Sequence, residues 1–263
     1  MQVLGAVGPG ARELCERLAS RVDGRVALVT GAEELDQAPP EAPASPDVTF
    51  ELGAAGKWAA AGGDRTLRDV LDDLAATYDY AFLAGFPDAD VPTVALADAT
   101  AANAVTRAET VADVDVDSVL ETVADAEPHV TLEALVERVK ASPRADRAGA
   151  IATFTGRVRA KDDPDDPQTL ELTFEKYEGV ADDRMRAIES ELEGRDGVYE
   201  VELFHRTGTI ESGEDIVFVV VLAGHREEAF ETVADGINRL KDEVPIFKRE
   251  RTVEEDFWVH DRP

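Results

Sequence analysis

The hydrophobic positions change period several times along the chain. Gln2 to Gly8 is a short apolar run ending in glycines, Leu14, Leu18 and Val22 follow at helical spacing, and Arg25 to Thr30 is a second apolar run. That order predicts a strand, a helix and a strand. Gln37 to Asp47 carries Pro39, Pro40, Pro43 and Pro46 and holds neither element, so a loop is expected. Leu67, Val70, Leu71 and Leu74 mark a helix within Thr66 to Thr77, and Tyr78 to Gly85 and Val91 to Leu96 read as buried strands. A short apolar segment after Asn103 leads into a helix through Val119, Leu120 and Val123 that stops at Glu127 and Pro128. The first half is therefore expected to be α/β with a parallel sheet.

The second half patterns differently. A helix is expected at Leu132 to Val139, a strand at Gly149 to Arg159, and a half-buried strand at Thr169 to Tyr177, where Leu170, Leu172 and Phe174 alternate with polar residues. Between the two strands, KDDPDDPQ reads as an exposed loop. A helix at Val180 to Glu193 precedes a hairpin with arms Tyr199 to Ile210 and Asp215 to Leu222. Arg226 to Lys241 is the most regular helix, with Phe230, Val233, Ala234, Ile237 and Leu240 at core spacing, and Pro245 prevents its continuation. These elements predict an α+β unit, helices on a mostly antiparallel sheet, and divide the chain at 1–127 and 128–263.

Composition narrows the chemistry. In 263 residues, 56 acids against 27 bases give a net charge of -29, which opposes nucleic acid or anionic lipid as a partner of the general surface. The bases are 21 Arg and only 6 Lys, a balance that keeps a surface hydrated in concentrated salt and points to a salt-adapted, halophilic protein. Cys15 has no second cysteine to pair with, and the four histidines lack metal-ligand spacing, so neither disulfide, metal nor cofactor is expected. The N-terminus lacks a basic targeting region, and the longest apolar run, Ile216 to Gly224, is too short for a bilayer; a cytoplasmic location is expected.

Against that acidic background three basic groups stand out: Arg157 with Arg159, His225 with Arg226, and Lys241 with Lys248, Arg249 and Arg251. The spacing leaves open whether the last group simply balances Asp242, Glu243, Glu250 and Glu254. His225 and Arg226 open a helix after a glycine, where unpaired N–H groups and the helix dipole add to the side-chain donors for an anion. Sixteen residues separate His225 from Lys241. At helical rise that is about 24 Å, too far for one small ligand to span within a single subunit. Two sites, or a two-fold dimer that sets one helix start against its partner's helix end, would meet the constraint.

The stretches GAIATFTGRVR (149–159), LTFEKYEG (172–179), HRTGTIESGEDIVFVVV (205–221), AGHREEAFE (223–231), LKDEVPIFKRE (240–250) and FWV (257–259) resemble, in order and spacing, the catalytic large subunit of molybdopterin synthase. The resemblance implies a sulfurtransferase of molybdenum cofactor biosynthesis. Its partner would be a ubiquitin-like small subunit whose C-terminal Gly-Gly is a thiocarboxylate, and its substrate cyclic pyranopterin monophosphate. The large subunit would be a homodimer within a heterotetramer. Carried over residue by residue, the resemblance makes Lys241 and Lys248 the catalytic pair. Arg157, Val158, Arg159, His225, Arg226, Arg249 and Glu250 join them as substrate-binding residues. A docking platform, or a lysine acceptor for ubiquitin-like proteins, is the rival reading.

The first half, through MQVLGAVGPG and LRDVLDDLAATYDYAFLAGFPDADVPTVAL, resembles the P-loop adaptor of molybdopterin guanine dinucleotide synthesis. Its loop, Gly8 to Glu13, is shortened and lacks the Lys-Ser/Thr pair that grips a nucleotide and its Mg²⁺. A degenerate domain that docks partners or stabilises the fusion is expected.

Overall fold

The computed structural model describes residues 1–34, 47–161, 163–177 and 179–259. The proline-rich stretch therefore lies outside the described residues except for Asp47, as does His260. The chain divides into two compact units, Met1–Thr131 and Leu132–Pro263.

In the first unit the elements run β1 (Gln2–Val7), α1 (Ala11–Ala19), β2 (Val26–Thr30), β3 (Val48–Leu52), β4 (Trp58–Gly62), α2 (Leu67–Ala75), β5 (Tyr80–Ala84), β6 (Thr93–Leu96), β7 (Ala104–Ala108) and α3 (Val116–Asp125). Five strands form a parallel sheet in the order β2-β5-β1-β6-β7. Strand alternation explains why it is buried on both faces. Leu4, Ala6, Phe82 and Ala84 join the core with α1 and α3, whereas Val3, Ala81 and Leu83 join the one with Leu71 of α2. The antiparallel pair β3 and β4 was not expected from the sequence. Here Phe50, Leu52 and Trp58 are exposed, so no burial pattern announces it.

The β1–α1 connection is only Gly8, Pro9 and Gly10, with φ +95° at Gly8 and +89° at Gly10. A Cβ at Gly8 would stand 2.4 Å from the Leu96 carbonyl oxygen, and one at Gly10 2.7 Å from Val111 Cγ2. Glycine is required at both by conformation and by close approach. At the end of the unit, the His129 N–H donates to the Met1 carbonyl (2.9 Å) and its Nε2 lies 2.8 Å from Asp72 Oδ1.

In the second unit the elements are α4 (Leu132–Lys140), β8 (Ala150–Arg157), β9 (Thr169–Lys176), α5 (Val180–Glu193), β10 (Val198–His205), β11 (Gly208–Glu211), β12 (Asp215–Ala223), α6 (Arg226–Glu243), β13 (Ile246–Thr252) and β14 (Asp256–Val259). They make two antiparallel sheets, β10-β12-β8 and β11-β9-β13-β14, where one was expected. The reason lies in the expected hairpin. Its first arm breaks after His205: Arg206 N–H donates to the Ile216 carbonyl, and Gly208, at φ +79°, turns the chain so that β11 pairs with β9. One core joins both sheets to α5 and α6, through Leu172, Phe174, Ile188, Leu192, Val219 and Ile237.

Helix α6 buries Val233, Ile237 and Leu240 as their spacing suggested, but its buried stripe is rotated away from Phe230 and Ala234. Ala229, Thr232, Val233, Gly236, Ile237 and Leu240 are buried, whereas Phe230 and Ala234 are exposed. Gly236 sets the rotation, because its missing Cβ would lie 3.1 Å from Val219 Cγ1 and lets the helix backbone approach β12. Helix α5 secures the edge strand of the first sheet. Glu189 Oε1 accepts the Leu203 N–H at 2.7 Å and Glu193 Oε1 the Val201 N–H at 3.0 Å, filling positions where a further strand would otherwise bond. Burial pushes Glu189 up to about 7, against the Leu203 hydrogen bond that lowers it.

Candidate active site

Strand β8 ends by alternating out, in, out. The Arg157 guanidinium donates to the Gly213 carbonyl, and its Nε lies 3.1 Å from Asp215 Oδ1, so it braces the turn before β12. Val158 is 2% exposed; its N–H donates to the Glu214 carbonyl at 2.9 Å, and its own carbonyl accepts the Gly213 N–H at 2.8 Å. Arg159 is exposed one residue beyond.

His225 is the N-cap of α6 in extended conformation, its imidazole making no capping bond. Its carbonyl accepts the Ala229 N–H at 3.3 Å. Arg226 follows in the first turn, exposed, with Glu227 Oε1 as far as 4.0 Å away. Both side chains are thus presented to solvent at the positive end of an 18-residue helix. Lys241 stands exposed in the last turn of that helix, so the separation of about 24 Å from His225 holds.

The triplet Lys248, Arg249 and Glu250 does not act as one cluster. It lies in β13, and the period-two pleat sends its members to opposite faces. Lys248 is paired with Phe174 and Glu250 with Leu172, so both point to the face that carries the buried Leu172, Phe174 and Ile210. There Lys248 Nζ is 3.2 Å from Glu250 Oε2, both side chains being mostly shielded from solvent. The other carboxylate oxygen, Oε1, accepts the hydroxyl proton of buried Thr169 at 2.5 Å. Arg249 faces the other way. With Glu171, Thr173, Thr209 and Arg251 it lines a shallow groove of about 340 Å³, in which Arg251 pairs with Glu171 at 2.7 Å.

Two residues that the sequence did not single out belong to the Lys248 face. Thr169 is one. Lys176 is the other: paired with Ile246 in register, it lies diagonally across the strands from Lys248, and its Nζ is 3.3 Å from Asp182 Oδ1. Strand alternation in β9 would have found Lys176 had β13 been recognised as its neighbour, but not Thr169, which reaches this face only through the register shift between Arg251 and Thr252. His205 is buried, its ring packed edge-to-face with that of Phe174 at 4.8 Å. Trp258 of β14 is paired with Arg249 and partly exposed. Among the described residues no helix is long and apolar enough to cross a membrane.

A family model described as MoaE protein matches residues 126–243. A probable molybdopterin synthase of Haloferax volcanii is 60% identical over 262 residues, covering all of both chains. The molybdopterin synthase catalytic subunit of Escherichia coli is 38% identical over 117 residues, 44% of this chain and 77% of that one. A MobB protein homologue from Bacillus stearothermophilus aligns with 48% of this chain and 100% of its own at 17% identity and a TM-score of 0.36. With identity on this scale along its whole length, the chain belongs to the MoaE family of molybdopterin synthase catalytic subunits and acts in molybdenum cofactor biosynthesis.

Proposed function

We propose that the portion 128–263 transfers sulfur from the C-terminal Gly-Gly thiocarboxylate of a ubiquitin-like small subunit to cyclic pyranopterin monophosphate, giving molybdopterin. The observation that carries this reading is Lys248. One of only six lysines, it is held by Glu250 on a largely apolar sheet face. Both reactants are anions, and a cation fixed in shielded surroundings attracts them far more than one in bulk water. Lys241 and Lys248 are the catalytic pair. Arg159, His225 and Arg226 present outward hydrogen-bond donors that suit a phosphate ester, and Glu250 orients Lys248. Arg157 and Val158 shape the strand end from which Arg159 projects, and Arg249 serves from the opposite sheet face.

The length of α6 favours a homodimer in which His225 and Arg226 of one subunit serve the lysines of its mate. The first portion, 1–127, is in this reading a degenerate P-loop-like adaptor. A three-residue β1–α1 connection packed against Leu96 and Val111 takes the place of a phosphate cradle, and calorimetry with GTP should register no binding.

The test is turnover with thiocarboxylated small subunit and the cyclic pterin in high salt. Lys241→Ala and Lys248→Ala should each lose most activity, and mixing Arg226→Ala with Lys248→Ala subunits should restore a wild-type site. Full activity in both lysine variants would overturn the assignment. A Gly-Gly remnant on either lysine without turnover would favour the acceptor reading.

A further inference from the structure

We infer that Thr169 is a positioning residue for Lys248, acting through Glu250. The inference rests on the proposed role of Lys248 and adds to it a residue outside every basic cluster.

Thr169 opens β9 with its main chain already committed. Its N–H donates to the Ala160 carbonyl at 2.8 Å, and it pairs in register with Thr252 where the β9–β13 ladder shifts. The residue is 6% exposed, so its hydroxyl has a fixed origin and little water to compete for its proton. That proton goes to Glu250 Oε1 at 2.5 Å, a short charge-assisted bond. Glu250 Oε2 then faces Lys248 Nζ at 3.2 Å. A carboxylate held at one oxygen cannot turn freely, so its second oxygen defines where the ammonium sits.

A lysine needs such help. Its four-carbon stem carries a point charge through many rotamers, and ordering it costs entropy at each encounter with substrate. The chain Thr169, Glu250, Lys248 meets that cost during folding, as outer partners do for ligands around a reacting centre. Valine has nearly the shape of threonine, so Thr169→Val removes the hydroxyl and little else.

The experiment uses the full chain with thiocarboxylated small subunit and cyclic pterin. Thr169→Val should lower kcat about tenfold, the effect of losing one hydrogen bond to a charged group, while KM for the pterin moves less than about twofold. Thr169→Ser should restore kcat. In a Glu250→Gln background Thr169→Val should add nothing further, because its route to Lys248 is already cut. A second readout is independent of turnover: the rate at which an amine-acylating reagent labels Lys248, followed by mass spectrometry, should rise in Thr169→Val and return in Thr169→Ser. Thr169→Ala supplies the same comparison if the valine variant melts early. Equal labelling of Lys248 in all variants, or an undiminished effect in the Glu250→Gln background, overturns the inference. Altered labelling with unchanged turnover upholds the positioning and instead sinks the catalytic role of Lys248.

Discussion

Glu189 offers a test of the second unit's architecture in which the sign of the effect is set by pH. Its carboxylate is drawn between α5 and the edge strand β10 to accept the Leu203 N–H. Burial is the main cause of its shift from 4.5 to about 7; the charges of Glu202 and Glu193 add to it, and the Leu203 hydrogen bond and Arg138 oppose it. The folded chain therefore holds this proton more tightly than the unfolded chain. Stability from the protonated form is fully present below about pH 4.5, erodes as pH rises, and is lost above about 7. Glu189→Gln keeps an acceptor for the Leu203 N–H and removes the buried charge. Its gain over the parent should be under about 1 kcal/mol near pH 5 and about 3 kcal/mol near pH 8. Urea unfolding at constant high KCl, followed across that range, measures the difference directly. The same gain appears as a melting point about 5 °C or more higher at the alkaline end. A gain that does not change with pH would refute the reasoning, because the carboxylate would then not be shielded as the structure has it. A loss at every pH would show that an amide cannot serve the edge strand.

Other predictions follow from single contacts. Leu192→Ala removes a fully buried side chain between α5 and the sheets and should destabilise the second unit by about 2–5 kcal/mol in chemical denaturation. Gly236→Val places a branched side chain where even a Cβ stands 3.1 Å from Val219, so a loss of about 1–3 kcal/mol is expected by thermal melting, with Gly236→Ala milder. Moving the protein from molar to about 0.1 M salt lengthens the screening distance from about 3 Å to about 10 Å. With a net charge of -29 the melting temperature should then fall; an unchanged melting point would remove the salt-adapted reading. Thr66→Ala deletes the hydroxyl that accepts the Asp69 N–H at 3.2 Å at the start of α2 and should lower the stability of the first unit by about 1 kcal/mol.

The residues of the proposed active site were partly legible. Lysines are rare in this chain, so Lys241 and Lys248 were conspicuous without any coordinates, and the helix that separates His225 from Lys241 was readable from its period. What could not be read was which residues share a face. Lys248, Arg249 and Glu250 are adjacent in sequence, and nothing in their order tells that a strand parts them. Thr169 lies 81 positions from Glu250, and only the β9–β13 ladder brings them together.

By itself, then, the sequence determined the two-unit organisation in outline, the parallel sheet of the first half, most helices, the charge balance and the family, because each is carried by local periodicity, composition or motif order. The tertiary structure alone decided that the second half holds two sheets, since the switch at Arg206 to Gly208 depends on strands far apart along the chain competing for backbone hydrogen bonds. It also decided the rotation of α6, where a close approach at Gly236 keeps Val233, Ile237 and Leu240 inside but leaves Phe230 outside. Strand pairing is non-local, and a one-residue change of register reverses every side chain, so the partnership of Thr169, Glu250 and Lys248 exists only once the fold has chosen its neighbours.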